Sequence, residues 1–253
     1  LKQAGNRNMD IVGILIIWDQ NVSIVTQQII SLIVILVTLI IIIYIRTQEK
    51  DFIFSALTWR KDKESWVGDG KFEYNRTEKA YEITNADPGY IHLGFLTWSD
   101  YNFSFDFKIA TWGGNDGGLG VIIRATNLAN YIMLQVKKSG IAPHIRINRS
   151  AWSIWQPNQV NLESSKISLD TWYKCEIICD KNKIKIIIYN NKEKIFGGHW
   201  EIPKGDIIIE YTHSSEHSPT RMPIPITFEY GSIGFRNYGI EKAFIKNVLV
   251  KKL

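Results

Sequence analysis

The chain has 253 residues, a hydrophobic content of 45%, and a formal net charge of +5 with a pI near 9.0. This length suits one large all-β domain with an appendage, because sandwiches and barrels often reach such sizes as single units. The lysines and arginines are dispersed among acidic residues and form no basic block. We therefore expect no nucleic acid partner, whereas weak attraction to anionic lipid stays open.

A charge-free apolar stretch near the N-terminus is the first predicted element. Ile29 to Ile45 reads IISLIVILVTLIIIIYI, and as a helix it covers about 26 Å, close to the hydrocarbon thickness of a bilayer. The residues that follow, Arg46 to Gln48, offer no small-residue cleavage site, so we predict an uncleaved single-pass anchor. The predicted divisions are a juxtamembrane segment, a transmembrane α-helix, a linker and a β-domain: 1–23, 24–45, 46–58 and 59–253.

The charges that flank this stretch bear on membrane orientation. More cations follow it than precede it, and the positive-inside rule then favours a cytoplasmic C-terminal domain. The rule is weak when a whole folded domain follows, so the side of the membrane stays open. A second apolar run, Ile11 to Trp18, covers only about 12 Å as a helix and cannot span. We expect a locally ordered juxtamembrane segment, and the alternatives are an interfacial element with Trp18 as anchor or a short strand used in self-association. The bilayer and a homo-oligomer or larger membrane complex are the corresponding partners.

Short runs of alternating apolar and polar residues predict strands after the linker. Turn residues separate them, as in Asp87-Pro88-Gly89, and we also predict a turn at Gly197-Gly198. Many short strands with short turns predict an all-β sandwich or barrel. The candidate strands are Tyr81–Thr84, Tyr101–Ala110, Gly118–Ala125, Tyr131–Val136, His144–Asn148, Thr171–Cys179, Lys183–Tyr189, Ile207–Tyr211, Ile226–Phe235 and Phe244–Lys252.

Two cysteines, Cys175 and Cys179, lie in one of these predicted strands. Four residues of extended chain separate their Cα atoms by about 13 Å. A disulfide reaches roughly 7 Å at most. We therefore predict free thiols.

Three stretches resemble the concanavalin A-like jelly roll, and more narrowly its laminin-G-like and 3-keto-disaccharide-hydrolase-like branches. They are WVGDGKFEY at Trp66–Tyr74, YNFSFDFKIATWGGNDGGLGVIIRATNLANYIMLQV at Tyr101–Val136, and GSIGFRNYGIEKAFIKNVLVKKL at Gly231–Leu253. The resemblance implies a two-sheet jelly-roll sandwich over 59–253, a fold that lectins, glycosidases and adhesion modules share. It also implies that the last stretch feeds the core through Phe235, Phe244, Ile245, Val248 and Val250.

Acidic residues do not form the pattern of a retaining glycosidase. Such enzymes of this superfamily carry carboxylates at alternate positions of one strand, so that the carboxylates flank the sugar bond. Here Asp106 stands alone between Phe105 and Phe107. We assign no catalytic residue. Sugar elimination, which the 3-keto-sugar resemblance implies, stays as an alternative that would involve His144, His199 or the loop His213 to His217.

Metal and nucleotide motifs are weak. His213-Ser214-Ser215-Glu216-His217 matches the H-x-x-E-H pattern of zinc peptidases, but its flanks predict a loop where zinc binding needs a helix. The segment Gly113 to Gly120 lacks the Lys-Ser/Thr of a phosphate loop, and we predict a hairpin connection there. Asn115 and Asp116 are weak Ca²⁺ candidates, since two oxygens are too few for a site. We predict no other cofactor. The weak metal candidates are Asn115, Asp116, His213 and His217.

Nine tryptophans make aromatic recognition the most credible activity, because exposed rings stack on the apolar faces of sugars. Trp66, Trp98 and Trp172 have core-like neighbours and are predicted to fill the sandwich. The ligand-binding candidates lie between strands, beside the glycine segment or after the predicted Gly-Gly turn: Trp112, Trp152, Trp155, His199 and Trp200.

The leading hypothesis is a membrane-anchored recognition or interaction module that binds a carbohydrate or protein ligand without catalysis. One alternative is a structural or effector subunit of an oligomeric membrane assembly with a cytoplasmic sandwich. The other is a sugar-active enzyme of the 3-keto-glycoside type.

Overall fold

The structure is a computed structural model that describes residues 24–41, 52–54, 65–114, 117–138, 140–147, 151–154, 160–161, 167–202, 206–209, 220–223 and 226–253. The chain divides into two compact units, Leu1–Lys50 and Asp51–Leu253.

The described part of the first unit is one helix, α1 (Ile24–Ile41). It has 18 residues, and all of its side chains are exposed. Its length is about 27 Å, so by length and composition it is able to cross a membrane. The Thr38 hydroxyl donates to the Val34 carbonyl at 2.8 Å, which satisfies a polar group within the helix. The predicted continuation over 42–45 lies outside the described residues.

In the described part of the second unit, turns and the short 3-10 helices Leu93–Phe95 and Ile226–Glu229 join the strands. The strands among the described residues are β1 (Phe52–Phe54), β2 (Trp66–Gly68), β3 (Lys71–Asn75), β4 (Ala80–Thr84), β5 (Tyr90–His92), β6 (Tyr101–Thr111), β7 (Gly117–Asn127), β8 (Asn130–Lys137), β9 (Gly140–Ile147), β10 (Ala151–Ile154), β11 (Val160–Asn161), β12 (Trp172–Asp180), β13 (Lys183–Asn190), β14 (Glu193–Glu201), β15 (Asp206–Ile209), β16 (Thr220–Pro223), β17 (Ser232–Arg236) and β18 (Lys242–Lys252).

Two antiparallel sheets form a sandwich, which confirms the predicted all-β class. Sheet A has the order β14-β13-β12-β6-β18-β4-β3, and β1 also pairs with β18. Sheet B has the order β10-β9-β8-β7-β17-β5-β2, and β11 also pairs with β9. Strands β15 and β16 form a separate hairpin. Strand β1 lies within the segment predicted as a linker, so strand pairing begins before residue 59.

The core lies between the sheets and follows from the period-two pattern of the strands. In β6 the residues Tyr101, Phe103, Phe105 and Phe107 are at most 1% exposed, and the residues between them face outward. One continuous cluster joins these rings to apolar residues of sheet B such as Phe235. Cys175 and Cys179 are free and buried in the same core, as predicted.

A bulge in β18 explains how its apolar residues reach the core. Ile245, Val248 and Val250 are all fully buried, although a regular strand would turn Ile245 and Val248 to opposite faces. The register with β6 shifts between Lys246 and Leu249, and Asn247 has φ +54°. The predicted core role of Phe244 is wrong in one respect. Phe244 is buried at 5%, but it lies outside the main core cluster and contacts the Lys108 ammonium.

Three local predictions differ from the structure. The predicted turn at Gly197-Gly198 is wrong, because both glycines pair with β13 inside β14. The predicted hairpin connection at Gly113 to Gly120 is wrong, since β6 and β7 belong to different sheets. The predicted strand Ile226–Phe235 begins as a 3-10 helix and becomes extended only in β17, after Gly231 at φ +142°.

Candidate functional site

The outer face of sheet B carries two arginines whose register positions lie in different rows, four residues apart along β8. Arg146 of β9 pairs with Tyr131 of β8, and two strands further along the sheet Arg236 of β17 pairs with Gly120 of β7. A Cβ at Gly120 would lie 3.2 Å from the Arg236 Cβ and 2.5 Å from the Met133 sulfur. Glycine at this position therefore leaves room for the Arg236 side chain on the face.

The segment 86–89 crosses this face and brings a carboxylate to the arginines. The Tyr131 hydroxyl donates to the Pro88 carbonyl at 2.6 Å. Gly89 has φ +125°, and a Cβ there would lie 2.7 Å from Ile122 Cδ1 and 2.9 Å from the Phe235 carbonyl oxygen. Only glycine fits so close to the sheet, and this approach holds Asp87 above it.

Asp87, Tyr131, Arg146 and Arg236 form what we call the Asp87 cluster. Oδ1 of Asp87 accepts from Arg236 Nε at 3.1 Å and from Arg146 Nη1 at 3.4 Å. The same Arg146 nitrogen donates to the Tyr131 hydroxyl at 3.0 Å. Arg146 and Arg236 are 6% and 9% exposed, while the Asp87 side chain is 35% exposed. The cluster thus holds two nearly buried cations beneath one accessible anion.

The loop between β17 and β18 forms the rim of the cluster. The Tyr238 ring is 50% exposed, and the Arg236 guanidinium lies 5.4 Å from its centroid. Glu241 closes the loop by accepting from the Tyr238 amide at 2.9 Å, and burial raises the pKa of its carboxyl. Asn237 fastens the loop to β7 by donating to the Gly118 carbonyl at 2.7 Å. An exposed aromatic ring is therefore held beside a cation.

His144 lies on the same face, opposite Met133 in register. Burial is the main cause that lowers the pKa of His144 to about 4. A hydrogen bond between its Nδ1 and the Ala142 carbonyl opposes this shift, and the charge of Arg236 contributes to it. His144 is therefore neutral at pH 7.

The chemistry available here is that of polar recognition. Among the described residues Asp87 Oδ2 has no hydrogen-bond partner, so it is an acceptor ready for a ligand hydroxyl. The Tyr238 ring supplies an apolar surface beside Arg236, the same arginine that binds Asp87. Carboxylate, guanidinium and aromatic groups in this combination match the alternating hydroxyl groups and C–H faces of a sugar.

The structure brings together only some of the residues predicted from the sequence. Trp152 is the register partner of Arg146, so its backbone borders the Asp87 cluster. Trp112 is half-buried and packs against the core and Gly118. His199 is exposed on sheet A, far in topology from Trp152. Trp200 is 7% exposed and belongs to the core, which leaves little ring surface for a ligand.

The other predicted site residues lie outside the described residues: Trp155, Asn115, Asp116, His213 and His217. Within the described residues, no group of three or more His, Cys, Asp or Glu is placed to hold a metal ion.

No sequence pattern predicted that Asp87, Arg146 and Arg236 would meet. Asp87 and Arg236 are separated by 149 positions in the chain, and no spacing rule connects them. The available signal was local. Arg146 is a charged residue within an apolar strand, and buried charges in cores are normally paired.

The fold and the family follow from comparisons with known proteins. A carbohydrate-binding module, CBM66 from Bacillus subtilis, superposes with a TM-score of 0.50 at 13% identity, over 74% of this chain and 96% of that chain. This likeness shows the fold alone: a jelly-roll sandwich of the kind found in carbohydrate-binding modules. The model of the 3-keto-alpha-glucoside-1,2-lyase-like domain matches residues 54–251, and the chain belongs to that family.

Two further structures are similar at TM-scores below 0.5 and add no argument. A putative glycosyl hydrolase from Parabacteroides distasonis has a TM-score of 0.47 at 13% identity, over 81% of this chain and 100% of that chain. The seed lectin of Lotus tetragonolobus has a TM-score of 0.46 at 13% identity, over 75% of this chain and 93% of that chain. No curated protein matches the sequence.

Proposed function

We propose that this protein is a membrane-anchored carbohydrate-recognition module that binds a saccharide on the outer face of sheet B. The observation that carries the proposal is the Asp87 cluster, where a carboxylate that is 35% exposed lies over two nearly buried arginines, one of which is beside the exposed Tyr238 ring. The jelly-roll fold supports it, since CBM66 of that fold is a carbohydrate-binding module.

The geometry favours reversible binding. The two guanidinium groups are fixed by strand backbones and by Asp87, so they lose little conformational freedom when a ligand arrives. A sugar ring that stacks on Tyr238 would place its hydroxyl groups near Asp87 Oδ2. Each charge-assisted hydrogen bond of this kind contributes about 1.5 to 3 kcal/mol.

An oligosaccharide array tests this function with the full chain in a neutral detergent. We expect saturable binding to at least one immobilised saccharide. Tyr238→Ala should weaken that binding about tenfold, because a ring contact is worth about 1 to 1.5 kcal/mol. Tyr230→Ala is the matched control, since Tyr230 is 41% exposed and has no contact with the cluster among the described residues. Absence of saturable binding on the whole array would remove the proposal.

Membrane attachment rests on α1, which is apolar, 18 residues long and fully exposed. Membrane insertion would remove these side chains from water, which is the main reason to expect it. Carbonate extraction of cell membranes tests the anchor: we expect the full chain to stay in the pellet. Protease access in intact cells then decides which side the sandwich occupies, because the flanking charges leave the orientation open.

A second candidate function is lyase or hydrolase activity on 3-keto-glycosides, which the family favours. His144 and Glu241 are titratable groups that feel the charge of Arg236, and they are the candidates for handling a proton. Glu241 is only 3% exposed, and this burial favours binding over proton transfer at its carboxyl. Release of a reducing sugar from a 3-keto-disaccharide would establish the activity, and its loss in His144→Gln would locate it.

The alternative hypothesis, a subunit of an oligomeric membrane assembly, stays a prediction. The mass of the detergent-solubilised chain tests it, and a strict monomer removes it.

A further inference from the structure

A groove of about 440 Å³ opens on the outer face of sheet A, on the opposite side of the sandwich from the Asp87 cluster. Its floor is one row of register partners across four strands: Lys246 of β18, Asp106 of β6, Lys174 of β12 and Tyr189 of β13. Three strand spacings make this row about 14 Å long. That length suits a short oligosaccharide better than a single sugar ring.

Aromatic surface flanks the groove. Trp172 was predicted to fill the core, but its outward position on β12 makes it half-buried at one end of the groove. The Lys246 ammonium lies 3.7 Å from the Trp172 ring centroid, a cation–π contact that holds the lysine over the groove. Tyr189 is the diagonal neighbour of Trp172 on the adjacent strand, which brings the two rings within reach of one ligand.

The two carboxylates of the groove are already engaged. Glu176 accepts from Lys174 at 2.6 Å and from the Tyr189 hydroxyl at 3.4 Å. Asp106 accepts from Asn247 at 2.6 Å. These bonds fix the carboxylates and offset the charge of Glu176, so their repulsion of an anionic ligand is reduced.

The lysines of the groove are not all engaged in this way. Among the described residues, neither Lys192 nor Lys246 forms an ion pair, and both line the groove. Lys192 belongs to the two-residue turn between β13 and β14, in which Asn191 and Lys192 have φ values of +47° and +73°. Positive φ at both central positions is the type I′ geometry, which holds Lys192 at the groove rim. Two cations are therefore available near its two ends.

We propose that this groove is a second saccharide site, specific for an acidic oligosaccharide of uronic acid residues. Sugar carboxylates would pair with Lys192 and with Lys246, which Trp172 holds in place, while a ring between them would lie against Tyr189. The inference goes beyond the proposed function, because it concerns a separate site on the other sheet and commits to a charged ligand.

The test uses the full chain in neutral detergent, with tetragalacturonate and its methyl ester as a matched pair of probes. Calorimetry should show binding of the acid and at least tenfold weaker binding of the uncharged ester. The double variant Lys192→Met/Lys246→Met should lose at least tenfold in affinity for the acid. Lys185→Met is the control, since Lys185 is an exposed lysine on β13 that does not line the groove.

Equal affinity for acid and ester would overturn the inference, and so would no binding of tetragalacturonate or unchanged affinity in the double variant. Tyr189→Phe is a milder variant, in case the double lysine substitution perturbs folding. It keeps the ring and removes only the bond to Glu176, so it should bind the acid within about threefold of wild type. The array binding of the wild-type chain and of Tyr238→Ala reports separately on the Asp87 cluster. If the groove binds no tetragalacturonate, the proposed function is therefore unaffected. If the array shows no binding at the Asp87 cluster, the inference about the groove is likewise unaffected.

Discussion

Asp87→Asn is the change that most directly probes the architecture of the candidate site. The substitution keeps the side-chain shape but removes the negative charge between Arg146 and Arg236, which are 6% and 9% exposed. Two charge-assisted hydrogen bonds, at 3.1 and 3.4 Å, would become bonds to a neutral amide. Each charged bond is worth about 1.5 to 3 kcal/mol, and a neutral one about 1 kcal/mol.

The predicted loss of stability is about 2 kcal/mol. The bond energies alone would allow about 1 to 4 kcal/mol, but Asp87 is 35% exposed and solvent screens part of its charge. Urea unfolding of the full chain, followed by tryptophan fluorescence, measures the free energy of unfolding. Asp69→Asn is the control, because Asp69 is exposed at a turn, and it should change the free energy by less than about 0.5 kcal/mol.

A double-mutant cycle separates this ion pair from unspecific damage. Asp87→Asn and Arg236→Met should show a coupling energy of about 1 kcal/mol or more, since contacting residues are not additive. Additive effects, or an Asp87→Asn protein as stable as the control, would refute the account of the cluster.

Further predictions concern titratable groups. Burial alone would raise the pKa of Glu82, but hydrogen bonds from Asn75, Lys71 and Lys242 lower it from 4.5 to about 2. The stability that Glu82 contributes is therefore complete above pH 4.5 and is lost as the pH falls toward 2. In urea unfolding, a Glu82→Gln protein should be less stable than wild type at pH 7, and the difference should disappear by pH 2. Burial lowers the pKa of His92 and His144 to about 4. As the pH falls, these histidines are therefore protonated in the unfolded chain before they are protonated in the folded chain, and the free energy of unfolding should decrease from pH 6.5 toward pH 4. A flat profile in that window would contradict their burial. Burial raises the pKa of the Cys175 thiol, and it raises the pKa of the Cys179 thiol to about 11. A thiol reagent at pH 8 should therefore label both cysteines only after unfolding. Rapid labelling of the folded chain would show that they are exposed.

The period-two alternation of apolar and polar residues predicted most of the strands from the sequence. The alternation in β6 and β12 predicted their bounds to within one residue, because each strand buries one face and exposes the other. The prediction missed β14, where Gly197 and Gly198 suggested a turn. Pairing with β13 keeps these glycines extended, and a Cβ at Gly198 would lie 2.9 Å from the Trp200 ring and 3.1 Å from the Phe196 ring. Tertiary packing thus outweighed local propensity.

The candidate sites were harder to predict, because each joins strands that are distant in the chain. Trp172 had core-like neighbours, and only the register of β12 shows that it faces outward. Arg236 meets Asp87 because β17 and β5 pair in sheet B and the segment 86–89, which leads into β5, lies over the outer face of the sheet. Such contacts depend on strand order, which local patterns do not encode.

Photoaffinity labelling tests the central claim, that the outer face of sheet B binds a saccharide. The probe is a diazirine derivative of whichever oligosaccharide binds best on the array, cross-linked to the full chain in detergent and mapped by peptide mass spectrometry. The account predicts labels in the segments 86–89 and 236–241, removed by excess unlabelled saccharide and reduced in Tyr238→Ala. Competable labels confined to other segments would contradict it.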